Sequence, residues 1–559
     1  MKPASAPRIT TLVLGGYGVF GGRLAELLSD CPELELLICG RNAARAEAFC
    51  SRHRGPALMR PLALDRADIA KAVREYRPQL VVDASGPFQA YGSDPYRVIE
   101  ECIDARVNYL DFADAADFVF GVSQFDERAT NAGVFVLSGV SSFPVLTAAV
   151  LRAMANDMEI HQVVGGIAPS PYAGIGLNVM RAVVGYAGAP VKLRRDGRAG
   201  QGVGLAESVR YTIAVPSKLP LRSMRFSLVD VPDLQVIPPA YPEMTDIWMG
   251  AGPVPEFLHR VLNLLARLRF AFRLPSLAPF SRLFYGVLNR MRFGEHRGGM
   301  FVRARGLAHG QPVERSWHLL AEGDDGPYIP SMAIEAIIRK LIAGIRPSTG
   351  ARAATDALDL ADYDTLFEGR QICTGFRRSD GNASLYEAIL GSAYAGLPPQ
   401  LQQLHGAERG NQWAGTAEVR RGHGLVAALI AALMRFPRPA DSVPVTVSFL
   451  PERGGERWVR DFGGKRFSSL QSAGTSRNSR LLVESFGPIS VALALVVDDN
   501  RLYLIPRRWT FLGIPLPKAF LPAGTSFETE RDGKFAFDVE ISLPLIGLIV
   551  AYCGTLRPA

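Results

Sequence analysis

Thr-Thr-Leu-Val-Leu-Gly-Gly-Tyr-Gly-Val-Phe-Gly-Gly, residues 10–22, is a short aliphatic and β-branched run that ends in glycines. The spacing Gly16-x-Gly18-x-x-Gly21 is typical of a strand–turn–helix unit that binds the diphosphate of a dinucleotide. Gly16 permits a tight turn, Gly18 lets a diphosphate approach the backbone, and Gly21 lets the helix pack against the sheet. The helix N-terminus then directs free N–H groups and a positive dipole at the phosphates.

The residues that follow support this interpretation and indicate which dinucleotide binds. Leu24, Leu27 and Leu28 share one face of a predicted helix, and a second strand is predicted over 34–39. At the place where NAD-binding units carry an acidic residue for the ribose 2′-OH, this chain has Arg41. A guanidinium binds a 2′-phosphate through charge-assisted hydrogen bonds, so we expect NADP(H) rather than NAD(H). The alternative is that Arg41 is a solvated loop residue.

Two further strand ends complete the expected cofactor site. A third strand is predicted over 63–65, with Asp65 near the adenine edge, and a fourth over 79–83. The segment 84–88 follows the fourth strand and is expected on the nicotinamide side, since ligands bind at the carboxyl ends of parallel strands. The expected cofactor-binding residues are Gly16, Tyr17, Gly18, Val19, Phe20, Gly21, Arg41, Asn42, Asp65, Ser85, Gly86 and Pro87.

The amino-acid composition limits the type of protein that this chain can be. The chain has 559 residues, 48% of them hydrophobic and 21% charged, which is globular and long enough for several domains. A net charge of +8 is a small excess for this length. The six cysteines form no C-x-x-C pair, which predicts reduced thiols in a cytoplasmic protein. We also expect no signal peptide at the N-terminus and no membrane span, because no apolar run reaches ~18–20 residues.

The motifs together resemble the saccharopine dehydrogenase-like family. The resemblance rests on the glycine turn, Gly40-Arg41-Asn42, the segment 85–92, Asn108-Tyr109-Leu110-Asp111, the loop 141–144, and Gly326-Pro327-Tyr328-Ile329-Pro330. It implies an α/β chain with an N-terminal Rossmann domain, a doubly wound parallel sheet that binds NADP, over residues 1–145. It also implies an α+β substrate or oligomerisation domain with a return helix over residues 146–375.

Candidate catalytic residues follow the Tyr-x-Asp strand end. Many relatives carry Gly-Glu shortly after it, where this chain has Ala113-Asp114. Hydride transfer needs positioning and a proton source, and Asp111 and Asp114 are the candidates for that role. The alternative for each is a helix cap, because Asp is a favoured N-cap residue.

A basic, apolar segment interrupts the substrate domain. Residues 257–294 contain no acidic residue but seven arginines among leucines, phenylalanines and tyrosines. Leu258, Leu262, Leu265 and Leu268 fall at helical spacing. Such a helix lies on an anionic membrane surface, or caps a pocket for a long apolar substrate. The alternative is that its apolar face belongs to the core or to a homodimer contact.

The last third predicts a different architecture, a β-rich antiparallel domain over residues 380–559. After an apolar helix over 425–436, strand follows strand, with hairpin turns at 462–465, 497–500 and 531–534. This region resembles an uncharacterised domain family sometimes fused to such reductases, and that family supplies no activity. Its tryptophans and nearby arginines suggest either an acyl or anionic ligand, or an ordinary core with arginines around it.

Two functions remain open from the sequence. The first is an NADP(H)-dependent oxidoreductase acting on a small amine, a keto acid or a hydrophobic, lipid-like molecule. The second is a non-catalytic NADP(H)-binding sensor or ligand-binding protein. The histidines show no metal-ligand spacing and no nucleic-acid-binding module is evident, so neither a metal nor a nucleic acid is expected.

Overall fold

A computed structural model describes residues 8–174, 176–252, 255–290, 293–379, 383–407 and 410–559. The N-terminal heptapeptide, Arg292 of the basic segment and the break predicted at Asp380-Gly381 lie outside the described residues. The chain divides into two compact units. The first is Met1–Val209, Arg225–Val313 and Leu320–Cys373, and the second is Arg210–Met224, Glu314–Leu319 and Thr374–Ala559.

Strands and helices alternate in the N-terminal part of the chain, and their order is less regular in the part that follows. The strands as far as residue 353 are β1 (Ile9–Leu14), β2 (Leu34–Gly40), β3 (Leu58–Ala63), β4 (Leu80–Asp83), β5 (Asn108–Asp111), β6 (Phe135–Ser138), β7 (Glu159–Ala168), β8 (Pro190–Arg195), β9 (Arg198–Val203), β10 (Ser208–Tyr211), β11 (Met224–Leu228), β12 (Asp246–Ala251), β13 (Arg297–Ala308), β14 (Gln311–Glu322) and β15 (Gly350–Ala353). The helices as far as residue 367 are α1 (Val19–Leu27), α2 (Ala43–Cys50), α3 (Ile69–Tyr76), α4 (Arg97–Asp104), α5 (Ala116–Gly121), α6 (Asp126–Ala132), α7 (Thr147–Ala155), α8 (Leu177–Tyr186), α9 (Asp233–Val236), α10 (Glu256–Phe272), α11 (Ser281–Arg290), α12 (Ile329–Ile342) and α13 (Leu360–Phe367).

The first unit is built on a seven-stranded parallel sheet of order β15-β6-β5-β4-β1-β2-β3. The central strands are nearly continuous apolar runs, as expected for strands covered by helices on both faces. The order reverses at β1, whose neighbours are β2 and β4. The expected Rossmann sheet is therefore confirmed, and its switch point lies where the glycine turn leaves β1.

The position predicted for the third strand is wrong. The structure places β3 at Leu58–Ala63, before the predicted segment 63–65. Pro61 made this run look unlike a strand, because proline cannot donate to a ladder. β3 is the edge strand, so one side of Pro61 needs no partner, and the strand pairs only with β2.

A second, mixed sheet follows in the first unit. β12 pairs parallel with β7, while β13 pairs antiparallel with the other side of β7 and β11 antiparallel with β12. β8 and β9 form a separate hairpin. The loss of regular βα alternation agrees with the expected α+β character.

The basic segment forms two helices, α10 and α11. The inner face of α10 buries Leu262 and Ala266, and Asn263 donates to Leu205 O at 2.7 Å and to Ser227 Oγ at 2.9 Å. This face is core, as one alternative predicted. The outer side is apolar too, since Phe272 is 70% exposed and Leu283 on α11 is 63% exposed.

The second unit is dominated by antiparallel strands. Its helices are α14 (Leu385–Leu390), α15 (Pro399–His405) and α16 (Leu425–Leu433). The strands from residue 372 are β16 (Ile372–Ser379), β17 (Gln412–Arg421), β18 (Ala440–Glu452), β19 (Gly455–Phe462), β20 (Lys465–Ala473), β21 (Leu482–Phe486), β22 (Ile489–Asp498), β23 (Arg501–Phe511), β24 (Ile514–Pro515), β25 (Ser526–Arg531), β26 (Lys534–Leu543) and β27 (Gly547–Pro558).

Ten of these strands close into a barrel. The order is β22-β21-β20-β19-β18-β17-β27-β26-β25-β23, and β23 pairs again with β22. Two-residue turns join the predicted hairpins, with positive φ at Asp499, Asn500, Asp532 and Gly533. The expected antiparallel domain is confirmed, and closure removes the open sheet edges that a meander would leave.

Within the described residues, no group of three or more His, Cys, Asp or Glu side chains could hold a metal ion. The cysteines there are all free thiols. No helix in the same ranges is long and apolar enough to cross a bilayer.

Candidate functional site

The turn between β1 and α1 is so tightly packed that only glycine fits. A Cβ on Gly21 would lie 2.5 Å from Gly15 O and 2.9 Å from Gly16 Cα. Gly15 itself has a φ of +72° and lies against Ala84 O of the next strand end. Gly18 is the N-cap of α1 and supplies no side-chain cap. The first-turn N–H groups of α1 therefore have the arrangement that binds phosphate.

A pocket of about 990 Å³ opens at this turn, at the switch point between β1 and β4. Its residues come from several carboxyl strand ends and from α8 and α11. It is lined by Leu14, Gly15, Tyr17, Gly18, Val19, Phe20, Gly40, Arg41, Arg45, Leu64, Asp65, Arg66, Ala84, Ser85, Gly86, Pro87, Phe88, Ala90, Tyr91, Phe112, Asp114, Ser141, Gly176, Leu177, Val179 and Tyr285. Its size and position are those of a cofactor-binding crevice.

One end of the pocket is aromatic and basic. The Tyr17 ring lies against Gly40, where a Cβ would be 2.3 Å from the ring, and Tyr17 Oη accepts from Asn42 N at 3.0 Å. The Arg45 guanidinium lies 5.0 Å from the Tyr17 ring centroid, and Arg41 lines the same end. This end therefore presents two guanidinium groups where NAD-binding units carry a carboxylate.

Two of the predicted cofactor residues are helix caps. Asn42 Oδ1 accepts from Arg45 N at 3.0 Å at the start of α2, and Asn42 does not line the pocket. Asp65 lines the pocket, but its Oδ1 accepts from Ala67 N at 3.0 Å. Asp65 Oδ1 thus caps the turn before α3, and Asn42 Oδ1 caps the start of α2.

A buried carboxylate organises the end of β4. Asp83 Oδ1 accepts from Ser85 Oγ at 2.6 Å and from Ser85 N at 2.9 Å, and Tyr91 Oη donates to Asp83 Oδ2 at 3.1 Å. Burial raises the pKa of Asp83 above its usual range. The Arg66 guanidinium lies 4.0 Å from the Tyr91 ring centroid. Ser85 is therefore held in one orientation at the pocket wall.

Asp111 lies behind the pocket and not in its lining. It is fully buried, and its carboxylate accepts from Gly139 N at 2.7 Å, Ser138 Oγ at 2.8 Å and Ala113 N at 2.9 Å. Burial raises its pKa to about 7, against the effect of those hydrogen bonds. These contacts tie β5 to the end of β6, so the geometry gives Asp111 a positioning role, and its catalytic role stays a prediction.

Asp114 does line the pocket. Its Oδ1 accepts from Gln89 Nε2 at 3.1 Å, and its side chain is open to the space inside the pocket. The surrounding protein atoms reduce its hydration, which raises its pKa above the usual range for an aspartate. A carboxyl group in this setting can hold a proton where a substrate would lie.

Sequence reasoning missed the wall of the pocket contributed by α8, α11 and the β6 loop. Ser141, Leu177, Val179 and Tyr285 line it, opposite the stacked pair Phe20 and Phe112, whose ring centroids are 5.6 Å apart. Ser141 belongs to the loop 141–144, one of the motifs of the family resemblance, so its place at the pocket could have been predicted. Tyr285 had none, because its position depends on packing far along the chain.

The structure brings most of the predicted site residues together. Those that line the pocket are Tyr17, Gly18, Val19, Phe20, Arg41, Asp65, Ser85, Gly86, Pro87 and Asp114. Those outside its lining are Gly16, Gly21, Asn42 and Asp111. The two glycines act through the backbone packing of the turn, and the other two act through hydrogen bonds to backbone N–H groups.

Comparison with known proteins identifies two segments. Residues 11–137 match the family model of the saccharopine dehydrogenase NADP binding domain. Residues 397–556 match a domain of unknown function (DUF4166). Both resemblances drawn from the sequence are thereby confirmed, and the first unit carries a nicotinamide-dinucleotide-binding domain of an oxidoreductase family. No curated protein sequence matches the chain.

Solved structures show only distant likeness. Apo saccharopine dehydrogenase (L-Glu forming) from Saccharomyces cerevisiae is 12% identical, with a TM-score of 0.49 over 66% of this chain and 100% of that chain. An amine dehydrogenase from Mycobacterium smegmatis is 10% identical, with a TM-score of 0.29 over 61% and 94%. WlbA (WbpB) dehydrogenase from Thermus thermophilus is 11% identical, with a TM-score of 0.28 over 61% and 89%. At these values no conclusion about activity follows.

The contacts of Asp111 lead to a first prediction. Asp111→Asn turns the acceptor that faces Ser138 Oγ into a donor and makes the bonds from Gly139 N and Ala113 N neutral ones, which weakens these ties by roughly 1–3 kcal/mol. We expect a lower thermal unfolding midpoint and unchanged kcat per folded molecule in cofactor turnover. A kcat that falls a hundredfold or more, with the unfolding midpoint unchanged, would instead give Asp111 a direct part in catalysis.

Proposed function

We propose that this chain is an NADP(H)-dependent oxidoreductase acting on a hydrophobic, lipid-like substrate. The observation that carries the choice of cofactor is the pair Arg41 and Arg45 at the Tyr17 end of the pocket. The one nearby carboxylate, Asp65, is held by the backbone of its own turn. A 2′-phosphate would meet two guanidinium groups there, and charge-assisted hydrogen bonds to phosphate are among the strong ones.

The cofactor, when bound, supplies or accepts the hydride, and the chain's own residues position the reactants. The glycine turn and the α1 N-terminus would hold the diphosphate, and Ser85, Gly86 and Pro87 would lie beside the nicotinamide end. Asp114 is the residue we assign to proton transfer. It is the carboxyl group on this side of the pocket that both lines the lumen and has a raised pKa.

The substrate class follows from the pocket walls. Val19, Phe20, Phe112, Leu177 and Val179 all line the pocket near its acidic group. Such walls bind an apolar molecule and exclude water, which strengthens the electrostatic effect of the few polar groups present. An apolar substrate with one reducible double bond or carbonyl group suits this lining better than an amino acid with two charges.

The choice of cofactor can be tested with Arg41→Ala. Loss of a charge-assisted hydrogen bond costs about 1.5–3 kcal/mol, so we expect NADPH affinity to fall roughly tenfold to a hundredfold. NADH affinity is expected to stay the same, because that cofactor has no 2′-phosphate. Titration calorimetry of the full chain with both nucleotides measures the difference.

Arg60→Ala is the matched control for this prediction. Arg60 forms an ion pair with Glu35 at 2.9 Å on the edge strand and does not line the pocket. The Arg60→Ala substitution removes the same charge and should leave the affinities for NADPH and NADH unchanged. An equal loss of NADPH and NADH affinity in Arg41→Ala would contradict recognition of the 2′-phosphate.

The role of Asp114 can be tested with Asp114→Asn. Loss of a general acid lowers kcat by about 10²–10⁴-fold, whereas the affinity for NADPH should stay unchanged. The protonated carboxyl is the active form in reduction, so the wild-type kcat should fall as pH rises through the raised pKa of Asp114. The variant should lack that limb of the pH profile. A wild-type profile retained in the variant would assign the limb to another group.

Candidate substrates for these assays are long-chain aldehydes, ketones and unsaturated lipids, with NADPH oxidation as the readout. A charged amino acid or keto acid panel provides the comparison class. Tight NADPH binding with no turnover on either panel would overturn the enzyme proposal and favour a non-catalytic NADP(H)-binding protein.

We further propose that α10 and α11 contact an anionic lipid surface. The outer sides of these helices expose Phe272 and Leu283, and Arg273 and Arg282 are exposed beside them. Exposed apolar side chains next to guanidinium groups suit a negatively charged membrane, where each basic residue contributes about 1 kcal/mol. Tyr285 on α11 also lines the pocket, so the same helix would border both the lipid and the substrate.

Vesicle sedimentation tests this contact. We expect the full chain to bind vesicles rich in anionic lipid at low salt and to be released at high salt, because salt screens the arginines. Leu283→Glu should abolish binding, whereas Ile345→Glu, at an exposed apolar residue at the end of α12, should not. If the protein does not bind vesicles but forms a dimer, and Leu283→Glu disrupts that dimer, this surface is a subunit interface.

A further inference from the structure

The barrel of the second unit is not filled by its own side chains. It contains a partly open cavity of about 210 Å³, lined mainly by residues of its strands and also by Ile430 of α16. Protein interiors are normally close-packed, and an engineered apolar cavity of about 150 Å³ stays dry and binds benzene. A cavity larger than that, in a barrel of ten strands, has room for a ligand.

Most of the cavity wall is apolar. Phe535, Phe537, Val539 and Ile541 alternate along β26 and all line it. Val447 of β18, three strands along the ring from β26, lines the cavity as well. An empty space bounded in this way loses dispersion contacts on every side, and an aliphatic chain would restore them.

The cavity also has a polar cluster, in which the arginine of the lining, Arg460, is ion-paired. Arg460 donates to Glu484 Oε1 at 3.0 Å and to Ser469 Oγ at 2.8 Å. Glu528 lies 2.5 Å from His405 Nε2. Arg460, Glu484 and Glu528 all line the cavity. The ion pair of Arg460 with Glu484 leaves the described lining without an uncompensated cation, whereas Glu484, Glu528 and Glu540 all place carboxylate groups in it.

The polar groups of the lining favour neutral lipids over anionic lipids. A fatty-acid carboxylate entering the cavity would meet Glu484 and Glu528 and would lose its hydration without gaining an unpaired cation. A hydroxyl group would instead donate to a carboxylate oxygen, a charge-assisted hydrogen bond of the stronger kind. The electrostatics therefore favour a neutral ligand that carries a donor.

The helix α16 covers the cavity. Ile430 and Met434 line the inside, while the outward residues Leu425, Leu429 and Leu433 are 91%, 69% and 80% exposed. A helix that is apolar on both sides is normally buried. Here Ile430 lines the cavity while three leucines stay exposed, so the helix presents apolar side chains on both sides.

We propose that the C-terminal barrel binds a neutral lipid with a terminal hydroxyl group, of the long-chain alcohol kind, inside this cavity. The hydrocarbon chain lies against the β26 face, and the hydroxyl group donates to the Glu484–Glu528 side. This site shares no lining residue with the pocket of the first unit, so either proposal can fail without the other.

The test uses the full chain and the neutral fluorescent probe N-phenyl-1-naphthylamine, displaced by dodecanol or by dodecanoate near neutral pH. We expect saturable probe binding and displacement by dodecanol at a concentration at least about tenfold lower than by dodecanoate. Absence of saturable probe binding, or preferential displacement by the anion, would overturn the proposal.

Two variants locate the site. Val447→Phe fills the cavity and should reduce probe binding at least tenfold. Thr446→Phe adds the same ring one residue away, on the outer face of β18, and should bind as the wild type. If Val447→Phe shows no cooperative unfolding, Val539→Phe replaces it as the filling variant. Normal binding by a folded filling variant would place the probe outside the barrel.

A third variant tests the polar cluster. Glu484→Gln removes the charge that pairs with Arg460 while keeping a similar shape, and leaves the guanidinium available to an anion. We expect the preference for dodecanol over dodecanoate to disappear or reverse, with probe affinity retained. An unchanged ratio of the two affinities would mean that the cluster does not contact the ligand's polar end.

Discussion

The first unit depends on the close contact between α1 and the end of β1. Gly21 lies so near Gly15 O that one added methyl group would force the helix away from the sheet. This contact directs the N-terminus of α1 at the edge where β1 and β4 diverge. The phosphate-binding geometry is therefore set by backbone packing, and the side chains around it only select among dinucleotides.

Three aspartates lie at or just past strand ends at this edge, and two of them differ in their surroundings from the third. Asp83 and Asp111, each the last residue of its strand, are fully buried and accept hydrogen bonds from the loops that follow. The loops need such ties because their backbone N–H groups have no ladder partner. Asp114 stands past a strand end and lines the lumen. Asp111, which supports the loops, and Asp114, which lines the pocket, are thus only three residues apart in the chain.

Local sequence predicted what local geometry determines. The glycine turn and Arg41 belong to one βαβ unit, so their placement at one pocket followed from spacing alone. Edge strand β3 was misplaced because tolerance of Pro61 depends on the finished sheet. Tyr285 comes to the pocket through contacts of α11 with α8, which no short-range pattern records. The alternation in β26 was visible, but it is the same for a filled core and for a hollow barrel.

The polar cluster in the barrel is costly for a purely structural feature. Arg460 and Glu484 have side chains only 13% and 12% exposed, and bringing such charges out of water offsets most of their mutual attraction. Apolar residues of the same size would close the barrel at least as well, and would also fill the space that now remains open. The ion pair and the cavity occur together, and a site for a molecule that is apolar along its length and polar at one end accounts for both. The lining of the pocket in the first unit differs in charge, because Arg41, Arg45 and Arg66 all belong to it.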